Sequence, residues 1–489
     1  MPKKHMNIEQ QQAIINRFYS NHQEGADIYS KDLLILDDYS DLLGTCIEQT
    51  TELMYNRHSQ NDMLHSLYDD IYRTTNIEME ANDLICKQRL ASGMVVTYGT
   101  ANYRDIYCVG NQQEIDDSGN ETVIPMTRES VFDLSSITKL FTCICLLQFV
   151  DKGIIKLSDY VGKIDKRFKN LTNVTIEELL AFQVPLKTSK RIDLANCLED
   201  AESLIYNIEI GEVTDRVYTD MGAMVLKYVI EQIADNTFFD VVYQNILLPC
   251  RMHNTHFIVK DHSKVVSNNF ERRIIDGNYI VNDSIRKGIV NDGKARKINE
   301  FKKQLSGHAG LFSTADDIAK FAQALLKEEL LSKELIKEIG INRTGERKSD
   351  GSYSQFHGYL CYSKNPISEN SEVNHWLSGN AFALGGYTGN HIMIDFNNQV
   401  FTFLASNRCH NRITQIDSKS RDMVKVNGGA IQWNDGKEYV VSSRFAYDRN
   451  NLIEVLSKAA LQYRCVELVL QQRDSIYSIG VCDRNAHCR

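Results

Sequence analysis

The chain has 489 residues, 43% hydrophobic and 24% charged, enough for one large domain or two or three ordinary ones around a sizeable core. A net charge of −9, with no long block of like charge, excludes the basic surface that nucleic acid binding needs. The basic start Met1-Pro2-Lys3-Lys4 leads into no apolar stretch, and the longest apolar run, Leu140 to Val150, is too short to cross a bilayer. A cytoplasmic protein off the membrane is therefore expected, with its twelve scattered cysteines, Cys143, Cys145 and Cys361 among them, as reduced thiols.

Residues 1–80 read as polar helix, with apolar residues at helical intervals over Gln10–Phe18 and Lys31–Leu67. They are expected to form a helical extension that packs on the main domain or carries a homo-oligomer contact. From Gly93 the pattern becomes that of strands, Met94–Tyr98 and Ile106–Val109. Ile137, Leu140, Phe141, Ile144, Leu147 and Val150 then recur at helical spacing from Ser136 until Gly153, a good C-terminal stop. Helices dominate to about Ile246, most clearly at Thr175–Phe182 and Met221–Ile233.

Strands return at His391–Asp395 and Val400–Leu404, whose junction Asn397-Asn398 reads as a tight hairpin, and a last helix fits Asn451–Leu470. Strands at both ends of a helical middle predict an α+β fold, an antiparallel sheet flanked by helices with an α-rich insertion. The expected domain is 81–489, with 81–154 and about 300–489 in the sheet region and about 155–299 helical. A terminal trio, Cys482, His487 and Cys488, lacks a second ligand pair at zinc spacing, so no metal and no cofactor is expected.

The chemistry centres on Ser136-Ile137-Thr138-Lys139. A serine is a nucleophile only when something nearby takes its proton, and residues i and i+3 share a helix face, which puts Lys139 under Ser136. A helix start also offers unpaired N–H groups to a developing oxyanion. Alone the spacing fits an N-cap serine with an exposed lysine equally well. A second copy, Ser284-Ile285-Arg286-Lys287, lies in a polar stretch and reads as a solvated loop.

Two further segments carry compatible chemistry. Tyr218, in Val217-Tyr218-Thr219-Asp220-Met221-Gly222, stands just before an amphipathic helix and can shuttle protons when a cation lowers its pKa. Ala383-Leu384-Gly385-Gly386-Tyr387-Thr388-Gly389-Asn390 supplies the glycines that close backbone approach requires.

In this order and spacing the segments resemble the serine β-lactamase and penicillin-binding-protein family, in its class C and esterase branch, over about residues 90–412. The likeness takes in Val131–Leu157, Tyr218–Ile233, Leu248–Phe257, Gly307-His308-Ala309-Gly310-Leu311-Phe312-Ser313-Thr314-Ala315-Asp316-Asp317 and Asn407-Arg408-Cys409-His410. The resemblance implies that Ser136 is acylated, that Lys139 accepts its proton and that Tyr218 serves the leaving group and the incoming nucleophile. It implies an oxyanion hole from the Ser136 and Tyr387 N–H groups beside Gly385 and Gly386, and a structural His308.

Departures narrow the expected chemistry. Leu384-Gly385-Gly386 replaces the Lys-Thr-Gly or His-Thr-Gly of the family's lactam and peptide processors, so the cation that helps hold a substrate carboxylate is missing. Asp220 replaces the usual asparagine of the tyrosine motif, and Phe182-Gln183-Val184-Pro185 stands where a His-Thr-Ser-Gly segment is usual. The expected activity is a cytoplasmic serine hydrolase of a small ester or amide, with Leu384 and Asp220 shaping its pocket. Two alternatives stay open: transfer of the acyl group to an amine or alcohol, and a non-catalytic ligand-binding domain.

Overall fold

Strand β1, Gly93–Thr100, is buried along its whole length, so both faces of the sheet are covered where it lies. The computed structural model describes residues 75–212, 218–346, 355–365, 371–375 and 377–485. The main sheet is seven-stranded and antiparallel throughout. It holds β1, β2 (Arg104–Ile115), β3 (Glu121–Pro125), β4 (Tyr362–Ser363), β5 (Phe382–Gly385), β6 (His391–Asp395) and β7 (Val400–Ser406) in the order β4-β5-β6-β7-β1-β2-β3. Its central seam pairs sequence-distant pieces, with Val95 opposite Ala405.

The two-residue period of β1 sorts its side chains into two cores. Met94, Val96 and Tyr98 face one side, covered by α1 (Thr75–Asn82) and by α6 (Asn450–Asn485). Val95 faces the other, which holds α2 (Thr138–Asp151), α3 (Asp220–Ala234), α4 (Gly293–Lys302) and α5 (Ala315–Leu326). Helix α2 is buried from Thr138 to Phe149, which its apolar residues on every side allow. Lys139 is thereby carried into the interior, where an ammonium needs a partner.

The structure departs from the sequence reading in several places. The first turn of the expected 136–153 helix is a 3-10 turn, Ser135–Ile137. The β6–β7 connection runs through Phe396-Asn397-Asn398-Gln399, and Gln399, not an asparagine, takes the left-handed conformation. The α-rich region also contains strands, Glu271–Ile275 and Asn278–Asn282, joined in parallel by Ile413–Ile416. Residues 413–445 add a hairpin, Ala430–Gln432 with Glu438–Val440, and Tyr439 places its ring 3.6 Å from the Arg272 guanidinium.

The last helix extends to Asn485, well past Leu470. Residues 1–74 of the expected extension, and the side chains of Cys482, His487 and Cys488, lie outside the described residues. Among the described residues no helix is long and apolar enough to cross a membrane, and no disulfide joins the cysteines.

Candidate active site

The turn that carries Ser136 is fixed from three sides by Asp133. Its backbone carbonyl accepts Thr388 Oγ1 and Asn390 Nδ2, each at 2.8 Å. Its buried carboxylate accepts the Ser135 N–H at 2.9 Å and the Asn291 N–H at 2.7 Å, and burial pushes that carboxyl up to about 6. Ser135 sits at φ 50°, a left-handed conformation that costs a non-glycine residue about 1 kcal/mol or more. The reversal exposes Ser136 at the floor of a cleft of about 710 Å³.

One turn on, Lys139 Nζ lies 2.9 Å from Ser136 Oγ, 2.8 Å from Asp220 Oδ1 and 3.4 Å from the His308 carbonyl. Burial alone would push the Lys139 ammonium down, but the Asp220 carboxylate, with Tyr218, outweighs it and holds the lysine above its ordinary value. Asp220 is held below the usual carboxylate range against its burial by Lys139, His308 and Lys294. The resting site therefore contains an ammonium–carboxylate pair beneath the serine hydroxyl.

Thr219 caps α3 by accepting the Met221 N–H, which leaves Tyr218 just outside the helix and beside Lys139. The ammonium is 5.1 Å from the Tyr218 ring centre. Phe182 stacks on that ring at 4.9 Å and Tyr362 at 5.7 Å, so the Phe182-Gln183-Val184-Pro185 departure supplies an aromatic wall for the tyrosine.

The glycine segment meets the serine turn closely. A Cβ on Gly386 would stand 2.9 Å from the Leu134 carbonyl oxygen, closer than real Cβ atoms come. The Tyr387 N–H points at the turn and donates to Ser135 Oγ at 3.1 Å. The Tyr387 hydroxyl donates to Glu271 at 2.6 Å, and Glu271 also takes Arg273 at 2.8 Å and the Thr414 hydroxyl. A buried carboxylate in the small mixed sheet thus orients the residue whose N–H meets the serine turn.

Ser136, Tyr218, Asp220, Gly385 and Tyr387 all line the cleft, and Lys139 lies directly beneath it. Leu384 does not line it. Its side chain is fully buried with Phe382 in the core between sheet and helices, so the expectation that it contacts substrate is corrected. Strand alternation turns Leu384 with Phe382 into that core, whereas Gly385 at the end of β5 and Tyr387 in the turn after it line the cleft.

His308 is held at both ring nitrogens, with Nε2 2.9 Å from Asp292 and Nδ1 2.8 Å from Ser306 Oγ. Sequence reasoning passed over Asp292, Lys294, Glu271 and Arg273. Asp292 shows only as an N-cap ahead of α4, accepting the Ala295 N–H, and nothing local marks it as part of the site.

The beta-lactamase family model matches residues 103–420, more than half of the chain. The chain belongs to that family. Its members are serine hydrolases and acyltransferases, and membership makes this protein an enzyme of that kind. No curated protein matches the sequence significantly.

Solved structures show the same fold. Simvastatin synthase (LovD) from Aspergillus terreus aligns with TM-score 0.55 and 14% identity over 79% of this chain and 97% of its own. EstCE1, a hydrolase with promiscuous acyltransferase activity, aligns with 0.54 and 15% over 79% and 97%. A class C beta-lactamase from Rhodobacter sphaeroides aligns with 0.52 and 12% over 78% and 99%.

Proposed function

We propose that the protein cleaves an ester or amide through an acyl-enzyme on Ser136. The 2.9 Å contact between Lys139 Nζ and Ser136 Oγ at the cleft floor carries this reading. In the reactive form Lys139 is neutral, and Ser136 Oγ attacks the substrate carbonyl carbon while its proton passes to Lys139 Nζ. The oxyanion is met by the Ser136 and Tyr387 N–H groups. Collapse breaks the bond to the leaving group, which takes a proton from Tyr218, and Lys139 returns a proton to the phenolate. Water then attacks the acyl ester, its proton passing to neutral Lys139 by way of the Tyr218 hydroxyl, and as the ester bond breaks Lys139 Nζ returns that proton to Ser136 Oγ, which restores the resting serine.

Because the resting lysine is charged, the rate rises with pH as Lys139 deprotonates. Leu384 in place of a cationic residue supports esters and simple amides over lactams, since β5 presents no cation of its own to a substrate carboxylate. A fluorophosphonate probe should label the wild type and not Ser136→Ala; an unlabelled wild type would favour a ligand-binding domain.

Acyl transfer to an amine or alcohol is the second reading, favoured by the fold shared with LovD and EstCE1. The two share their first half-reaction and part at the deacylating nucleophile. Product analysis of a p-nitrophenyl ester with and without added amine separates them, and a product unchanged by amine sinks the transfer reading.

The cysteines of the described residues, none of them bridged, support a reducing, cytoplasmic compartment. Self-association through residues 1–74 is the proposed role of the extension. It is checked by the solution mass of the full chain and of one lacking them, and equal oligomeric states would refute it.

A further inference from the structure

Asp220 places a full negative charge where the related tyrosine motif ends in a neutral asparagine, against the one lysine the mechanism needs uncharged. The structure shows what answers that charge. Asp220 lies between two ammonium groups, with Oδ1 2.8 Å from Lys139 Nζ and Oδ2 3.1 Å from Lys294 Nζ. Lys294, in the first turn of α4, also reaches Asp292 at 3.1 Å, and Asp292 holds the His308 ring. The result is a row of alternating charge, Lys139, Asp220, Lys294, Asp292, anchored on a buried histidine.

We propose that Lys294 is a positioning residue that offsets Asp220, so that Lys139 can be deprotonated and take the Ser136 proton. The inference rests on the acyl-enzyme reading above. Its physics is Coulombic: a carboxylate shared by two cations stabilises each less than it would stabilise one, and two ammonium groups on one carboxylate repel each other.

The groups facing Lys139 are few. Ser136 is on its own segment, Tyr218 comes from the approach to α3 and Asp220 from its first residue, and the His308 carbonyl comes from the loop before α5. Lys294 and Asp292 act from α4 through Asp220. Burial pushes Lys139 down and Asp220 pulls it up, and removal of Lys294 strengthens the upward pull.

The test is the pH dependence of fluorophosphonate labelling at Ser136 in the full chain. Lys294→Met should move the alkaline rise of the labelling rate up by about one pH unit, a loss of about tenfold at neutral pH. Lys294→Arg should follow the wild type within about twofold. Lys294→Met combined with Asp220→Asn should return the rise to the wild-type position or below it.

Coincident profiles for Lys294→Met and wild type overturn the inference alone, as does a folded double variant that recovers nothing. A wild type that does not label overturns the acyl-enzyme reading and this inference with it. Should Lys294→Met fail to fold, Asp220→Asn alone carries the test: the rise must move below that of the wild type, and an unmoved rise refutes the charge balance.

Discussion

Ser136-x-x-Lys139 and Ser284-x-x-Lys287 share residue types and spacing, and the structure shows how little those settle. Ser136 opens onto the cleft with Lys139 Nζ 2.9 Å beneath its hydroxyl, because a 3-10 turn feeds a buried helix there. Ser284 is exposed and donates to Asn282 at 2.9 Å, while Lys287 Nζ turns away to Gln113 at 3.2 Å. Burial pushes the Lys287 ammonium below its ordinary value, whereas Lys139 is held above it by Asp220. A search for the lysine with the lower pKa would therefore choose the wrong pair. On the proposed mechanism, placement against the serine, not the resting pKa, distinguishes the base.

The sharpest way to break this contrast is to exchange the two serines' fates. Ser136→Ala should remove at least about a thousandfold of ester turnover, since nothing else at the cleft floor replaces the nucleophile. Ser284→Ala and Lys287→Met should leave turnover within about twofold. Comparable losses in the two sets, measured as kcat/KM on a p-nitrophenyl ester, would dissolve the distinction.

A smaller loss is expected where the first copy depends on backbone contact that the second lacks. Gly386→Ala puts a methyl against the Leu134 carbonyl oxygen and must push the glycine segment off the serine turn. A loss of about 10- to 100-fold in kcat is expected, by the scale of removing one oxyanion donor. Retained kcat would show that the Tyr387 N–H does not serve the reaction. Glu271→Gln tests the same donor more gently. It keeps the shape but removes the charge that holds Tyr387 and Arg273, and about a tenfold fall in kcat with a steady KM is expected.

What was legible in the sequence follows from how local each signal is. Helical spacing placed Lys139 under Ser136, and the family order placed Tyr218, Gly385 and Tyr387 on the same cleft. The inward turn of Leu384 was not legible from its motif, because the register of β5 against β6, with Leu384 opposite Ile392, decides which face it takes. Lys294 and Glu271 were invisible for another reason. Each comes from a polar stretch more than 130 residues from Ser136, and only the folded chain brings Lys294 to Asp220 and Glu271 to Tyr387. The hairpin expected at Asn397-Asn398 is present, with Asp395 opposite Val400, but its turn was not legible: Asp395, taking both the Asn398 N–H and its side-chain amide, fixes the loop, and Gln399 takes the left-handed conformation.

The least dramatic prediction lies beside the second lysine, where the expected readout is stability and not turnover. His410 Nε2 accepts the Glu114 N–H at 2.8 Å, so its ring is neutral in the folded protein. Burial pushes it down from 6.5 to about 3, with the charges of Arg412 and Lys287 acting in the same direction and Glu114 opposing. A folded value below the unfolded one means that the unfolded chain binds a proton first as pH falls. Stability should therefore be lost progressively below pH 6.5, by about 2 kcal/mol from this group between pH 7 and pH 5. Glu114, held at about 2 against its burial by Arg412, adds its own loss only below the ordinary carboxylate value of 4.5, outside that window. Urea midpoints of the wild type and His410→Gln at pH 7 and pH 5 isolate the histidine, and equal shifts in both proteins would remove it as the cause. Turnover per folded molecule should not change in His410→Gln at pH 7, which would place the chemistry at the first serine–lysine pair and leave the second pair's surroundings to the fold.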